Sequence, residues 1–365
     1  MSMKTHASTY RLQYIDWLRG LGAVIMLQGH CFDAFTKPSL RQDSPWMLSQ
    51  FAGGMPPAIF LFLTGVTLSF LMDSTERKGM GPAGRLITAF GRSGYLFFLA
   101  FAFRLQLFVF GFPADWHDLF RVDILNCMGF AIAVMSVMAI FTTVERVRLC
   151  AALGLGIAFA SPLVSQLELP RLHWMVRSYI VPDYRYFSFF PWAAYLAFGM
   201  SAGSAIRAVP KEATERVMQW AALLGVSLIL VSQYFANSPY SLYTKSEFWL
   251  NSPAQVLTKQ GVVLLMLTFA FLWTRYGSAE GWSWVRQFGT TSLLVYWVHI
   301  ELVYGRWLWF FKNRLTSVET ALAAVCIILL MLGLSIAKSY RQRITGWIEG
   351  MGWAFWPKPE RAAGD

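Results

Sequence analysis

The chain has 365 residues, 56% hydrophobic and only 14% charged, with 16 Trp, 30 Phe and a mean hydropathy of +0.45. A water-soluble chain of this length carries about a quarter charged residues, so the composition excludes that class and points to a polytopic membrane protein built as one bundle. The net charge of +11 would suggest a nucleic-acid partner in a soluble protein. Here the basic residues flank apolar runs and face anionic lipid heads, so the partner is the bilayer and not nucleic acid.

A crossing needs roughly 20 mostly apolar residues. Such runs fall near 17–36, 56–72, 87–112, 119–142, 149–167, 187–206, 217–236, 257–275, 288–311 and 318–338. They predict an all-α bundle of about ten transmembrane helices. The bundle occupies 17–338, after an N-terminal segment 1–16 and before a loose tail 339–365. The first run is too long for a signal-peptide core and lacks a small-residue cleavage site, so it is read as a span. The four cysteines, Cys31, Cys127, Cys150 and Cys326, sit in or beside apolar runs without paired spacing and read as small buried hydrophobes. No metal-ligand cluster and no Gly-rich phosphate loop is present in the sequence.

If the N-terminus lies inside, nineteen Lys and Arg fall in inner segments and ten in outer ones. That bias predicts cytoplasmic termini, with long aromatic-rich outer loops at 168–186 and 237–256.

Polar residues inside apolar spans are costly and usually face a bundle interior. The first span, "RGLGAVIMLQGH", begins at Arg19 and ends at His30, with Asp33 beyond. Arg19 and His30 are eleven residues apart, almost three helical turns, so they share a face and lie roughly 16 Å apart along the axis. Asp16 and Asp33 extend the same stripe. The third span carries Arg104, and the fourth opens on Arg121 and Asp123. The ninth carries His299 and Glu301, with Arg306 following. Under the predicted orientation His30, Asp33, Arg104, Arg121, Asp123, Glu301 and Arg306 fall toward the outer side, with His299 near mid-depth, whereas scattered snorkelling residues would populate both interfaces. Each also has a plain structural reading. Arg121 and Arg306 read as snorkellers, Asp123 as a partner of Arg121, and His30 and His299 as hydrogen-bonded core residues. His6, His117 and His173 lie in a terminus and in outer loops and read as surface residues.

A cation at the inner boundary and a proton-exchanging group deeper in suit a long ligand with an anionic head and a reactive end within the membrane, the shape of an acyl-coenzyme A. "YIDWLRGLGAVIMLQGH" resembles the first helix of membrane acyltransferases, and "PPAIFLFLTGVTLSF" resembles their second-helix signature. "FFPWAAYLAFGMSAG" looks like the Pro-Trp helix of the heparan-alpha-glucosaminide N-acetyltransferase-like family, and "GTTSLLVYWVHIELVY" like a late helix of the same superfamily. The stretches occur in order over most of the chain.

The resemblance implies an acyltransferase of the bacterial inner (plasma) membrane. It would move an acetyl or other short acyl group from acyl-CoA to a sugar or glycan on the far side, without a metal, and homo-oligomerisation stays open. Arg19 and His30 carry over from the first-helix pattern. The lysosomal members of the family place Asn at the position of His30 and their histidine in the following loop. This sequence has no histidine between Asp33 and Trp46, so His30, Asp33 and Asp43 all stand as candidates for the general base. On this reading Asp33, or a carboxylate from another helix, orients the His30 imidazole, with Asp123 and His299 in the same catalytic set. Arg121 belongs to that catalytic set too, as an oxyanion stabiliser, while Arg104, Glu301 and Arg306 serve the substrate or its oxyanion and Arg19, Arg85 and Arg92 hold the CoA phosphates. The rival readings are a transporter or flippase of an anionic lipid or sugar on the same scaffold, and a non-catalytic membrane sensor.

Overall fold

The computed structural model describes residues 12–113, 115–167, 171–277 and 281–355, with side chains as far as Arg341. His6, the counted charges Lys4, Arg11, Lys358 and Arg361, and positions 168–170 of the outer loop lie outside the described residues. The described residues form helices and no β-strand.

In chain order the helices are α1 (Gln13–Phe35), α2 (Ser44–Gly53), α3 (Pro56–Arg77), α4 (Pro82–Phe110), α5 (Trp116–Leu119), α6 (Ile124–Met135) and α7 (Thr143–Ser165). They continue as α8 (Trp174–Ile180), α9 (Phe189–Ala208), α10 (Thr214–Ala236), α11 (Pro253–Leu272), α12 (Trp284–Thr290), α13 (Ser292–Tyr304) and α14 (Ser317–Phe355). Local chemistry sets several of the starts. Proline opens α3, α4 and α11, where its missing N–H costs nothing. Reciprocal capping boxes start α6 (Asp123 with Asn126) and α7 (Thr142 with Glu145).

Six helical stretches are long and apolar enough to cross a membrane: Ser44–Arg77, Pro82–Phe110, Thr143–Ser165, Lys211–Ala236, Pro253–Gly277 and Ser317–Arg341. Their exposed faces are apolar, with Phe98 70%, Leu230 66% and Leu329 60% exposed, as suits contact with lipid tails. Each of the ten predicted runs contains a helix, but three differ in extent. The fourth is helical only from Ile124 and tightens to a 3-10 turn at Ser136–Ile140. The ninth is broken: α12 and α13 meet at Thr291, and α13 ends at Tyr304. The tenth does not stop at 338, because α14 continues into the expected loose tail as far as Phe355. Cys326 is exposed, against the expectation of four buried cysteines, while Cys31, Cys127 and Cys150 are buried.

Helix α1 is central. Leu18, Leu27, Cys31 and Phe35 are fully buried against neighbouring helices. Its approach to α12 is possible only because both partners are glycine at the crossing. A methyl group on Gly20 would overlap the Val285 carbonyl, and one on Gly289 the Asp16 carbonyl. The same device joins α3 and α9, where a methyl on Gly65 would meet the Leu196 carbonyl and one on Gly199 the Phe62 carbonyl. Beyond the end of α1, a short strap ties it to the start of α14. Lys37 N–H donates to the Leu315 carbonyl at 2.9 Å, and Leu315 N–H to Phe35 at 2.9 Å.

At the opposite end, α3, α4, α7 and α9 are fastened by buried charge. Asp73 accepts from Arg77 (3.0 Å), Arg207 (2.7 Å) and the Thr143 hydroxyl (3.0 Å). Glu76 pairs with the fully buried Arg146 at 2.9 Å and with Arg85 at 3.5 Å. Asp73, Arg85 and Arg146 are buried and find their partners within the bundle, while Glu76, Arg77 and Arg207 keep part of their surface in contact with solvent.

Candidate functional site

One cavity of about 1440 Å³ runs between α1, α3, α4, α6 and α13. At one end it is lined by Arg19, Arg92 and Lys338, and at the other by Asp33, Arg121, Arg306 and Lys312. His30, Arg104, Asp123 and Glu301 line it in between. Of the α1 stripe expected from spacing, Arg19, His30 and Asp33 line this one space, while Asp16 is buried and not on its wall.

At the first end Arg19 pairs with Asp16 at 3.1 Å, one turn back on the same helix. Arg92 stacks over Tyr95 with its guanidinium 5.6 Å from the ring centre. Leu96, Leu99, Leu293 and Leu294 give the adjoining walls an apolar surface. Arg85 is not on this lining. Its guanidinium donates to the Ile140 carbonyl at 3.2 Å and faces Glu76, so the structure places it in the interhelical charge cluster.

Farther along, the His30 Nδ1 lies 2.9 Å from Nε2 of His299, with the rings nearly parallel. His299 is fully buried, and its own Nδ1 lies 2.7 Å from the Val295 carbonyl one turn earlier on α13. Two histidines 269 positions apart thus form one unit. The expected His30–Asp33 contact does not form. Asp33 Oδ2 instead accepts from the Tyr304 hydroxyl at 2.8 Å, and the Tyr304 ring stands edge-on to His30. The i, i+3 spacing puts Asp33 on the His30 face, yet its short side chain reaches the neighbouring helix before it reaches back along its own. Asp43 is exposed at the N-cap of α2 and is absent from the cavity wall.

Asp123 meets Arg104 at 3.2 Å, and Arg121 reaches instead to the Arg185 carbonyl at 3.4 Å. The sequence had offered Arg121 as the partner of Asp123. Asp123 caps α6 with Oδ1, which turns Oδ2 toward α4 and Arg104. Across the cavity, Trp297 Nε1–H donates to Gln106 Oε1, and Phe103 packs on both Tyr296 and Trp297, joining α4 to α13. Arg306 donates to the Gly111 carbonyl at 2.9 Å, and Lys312 to the Tyr304 carbonyl at 2.6 Å.

Tyr304, Lys312, Lys338 and the Gln106–Trp297 bridge escaped the sequence reading. Tyr304 stands in the quoted late motif and had the spacing to be noticed, five residues after His299 and three after Glu301. Lys338 counted there only as a flanking charge.

The arrangement offers an imidazole and an arginine at mid-length of one partly open cavity, with cations at both ends of it. A family model described as "Heparan-alpha-glucosaminide N-acetyltransferase, catalytic" matches residues 11–239, which is 229 of the 365 positions. The match takes in Arg19, His30, Asp33, Arg104 and Asp123, and ends before α11, so His299, Glu301 and Lys338 lie beyond it. No curated protein matches the chain.

Proposed function

Because the chain belongs to the heparan-alpha-glucosaminide N-acetyltransferase catalytic family, we propose that it is an integral membrane acyltransferase that moves an acetyl or other short acyl group from acyl-CoA to a sugar or glycan. The observation that carries the reading is the single cavity joining the cationic Arg19–Arg92–Lys338 end to the His30 imidazole. The donor's phosphates lie at that end, which the Lys and Arg bias places on the cytoplasmic side. The pantetheine arm follows the leucine-lined wall and presents the thioester near His30. The acceptor enters from the Asp33–Arg121–Arg306 end.

In the transfer itself, His30 takes the proton from the acceptor hydroxyl or amine while that oxygen or nitrogen bonds to the thioester carbon. Arg104, set in the wall beside Asp123, stabilises the negative charge that gathers on the carbonyl oxygen. The carbon–sulfur bond then breaks, and the departing thiolate recovers the proton from His30. No metal is invoked. On this reading the bilayer is that of a bacterial inner membrane.

The deciding experiment incubates purified protein in lipid with acetyl-CoA and fractions of envelope glycans, and follows free thiol together with acylated glycan. Release of thiol that requires both glycan and His30 supports the reading. Glycan or lipid movement without thiol release would replace it with a transporter.

A further inference from the structure

We propose that His299 is a positioning residue, which fixes the tautomer of His30 and shares the proton His30 takes up, so that the base of this site is a pair of imidazoles with no carboxylate. The inference rests on the acyl-transfer reading for its kinetic consequence and on hydrogen-bond geometry for its structural one.

The geometry leaves one arrangement of protons. A carbonyl oxygen only accepts, so the His299 Nδ1 that lies 2.7 Å from the Val295 carbonyl carries a hydrogen. In an uncharged His299 ring, Nε2 is then the bare, accepting nitrogen. The His30 Nδ1 at 2.9 Å must therefore be the donor and carry a hydrogen of its own. That leaves the lone pair of His30 on Nε2, for which no described residue provides a hydrogen-bond partner, on a ring that lines the cavity. One backbone carbonyl on α13 thus dictates, through two rings, which nitrogen of an α1 side chain is the base.

The nearby carboxylate does not compete for this role. Asp33 is held by Tyr304, and Tyr304 and Tyr296 are the aromatic neighbours of the two rings. A permanent charge behind His30 would have to be buried among Leu27, Val295 and Val303, where a lone carboxylate is costly. A second imidazole carries no charge at rest. When the acceptor's proton arrives at His30 Nε2, the Nδ1–H···Nε2 bond to His299 becomes charge-assisted and strengthens. The positive charge spreads over both rings. It disappears again when the thiolate takes the proton from His30 Nε2.

The test uses the full-length protein in lipid bilayers with 15N-labelled histidine. The chain has five histidines, and the His30 signal is assigned by its loss in His30→Gln. The wild type should show His30 protonated on Nδ1 alone. In His299→Leu, which offers no acceptor, His30 should move to the Nε2–H form, and kcat should fall on the order of a hundredfold with KM for acetyl-CoA changed less than about twofold. His299→Gln keeps an acceptor where Nε2 stood but cannot share a proton, so it should retain the Nδ1–H form and recover part of kcat. A wild-type His30 protonated on Nε2, or a His299→Leu protein with unchanged tautomer or full kcat, would overturn the proposal. The tautomer is read without turnover. A wild-type protein that transfers no acyl group therefore defeats the acyl-transfer reading while the proton assignment is still judged by the spectrum.

Discussion

Asp123 serves two partners at once: Oδ1 caps α6 by accepting from the Leu125 and Asn126 amides, and Oδ2 faces Arg104 at 3.2 Å. The ion contact is close, but its angle falls short of a hydrogen bond. Asp123→Asn separates the two roles, since the amide oxygen still caps while the charge is gone. It should lower stability by about 3–5 kcal/mol by leaving a buried arginine without its counter-charge. Asp123→Ala should add about 1 kcal/mol for the lost cap. Thermal unfolding in matched detergent measures both, and equal stability of the two variants would mean that the cap adds nothing.

Arg19 lines the Arg92–Lys338 end of the cavity and pairs with Asp16. Arg19→Ala should weaken acetyl-CoA binding by about tenfold or more, the worth of one charge-assisted contact of roughly 1.5–3 kcal/mol. Arg19→Lys should restore only part, because the forked donor is lost. Calorimetric titration of donor into purified protein reads the effect directly. An Arg19→Ala protein that binds donor normally but unfolds early would reduce Arg19 to a partner of Asp16.

Arg146 and Arg85 converge on Glu76. Arg146→Ala should destabilise the bundle by about 3 kcal/mol, at the low end for a broken buried pair because Glu76 is partly open to solvent. Arg85→Ala should lower the unfolding temperature too, without the donor-binding loss expected at Arg19. A selective loss of donor affinity in Arg85→Ala would return that residue to the donor site.

The glycines on the two sides of the bundle should respond in opposite ways. Gly199→Ala drives a methyl into the Phe62 carbonyl and should cost about 1–3 kcal/mol as α3 and α9 separate. Gly94, on the exposed face of α4, has no atom within 4 Å of an added methyl. Gly94→Ala should be neutral or stabilise by about 0.5–1 kcal/mol. Unfolding midpoints of the two variants against wild type settle the contrast.

Sidedness has its own test. Tyr184, beyond α8, and Tyr340, late in α14, are both exposed. With the termini inside, Tyr184→Cys should react with an impermeant maleimide on intact cells, and Tyr340→Cys only after permeabilisation. The reverse pattern would put the Arg19 end of the cavity outside.

Much of this architecture was legible because burial of backbone in lipid demands helices, and apolar runs announce them. The α1 stripe was legible for the same reason that any helical face is: Arg19, His30 and Asp33 are related by a fixed angular step. What was hidden depends on contacts between distant parts of the chain. Nothing local to His30 reveals that His299 is its partner, so the near carboxylate, Asp33, drew the role instead. The break at Thr291 carries no proline, and its only local mark is the small polar stretch at 289–292 between two apolar runs. Arginines at span ends look alike in sequence whether they reach lipid heads or, like Arg146, vanish into the bundle beside a carboxylate from another helix.

The Asp73 cluster also orders events in time. Its acids belong to α3, while its cations come from α3 (Arg77), α4 (Arg85), α7 (Arg146) and α9 (Arg207), and Arg207 follows Asp73 by 134 residues. At ribosomal speeds that interval is roughly 7 to 27 seconds. Arg77 and Arg85 come first, Arg146 arrives about halfway through that interval with α7, and Arg207 comes last. Asp73 therefore gains its Arg207 contact only once α9 has been made, so this cluster closes after the four helices it joins are all synthesised.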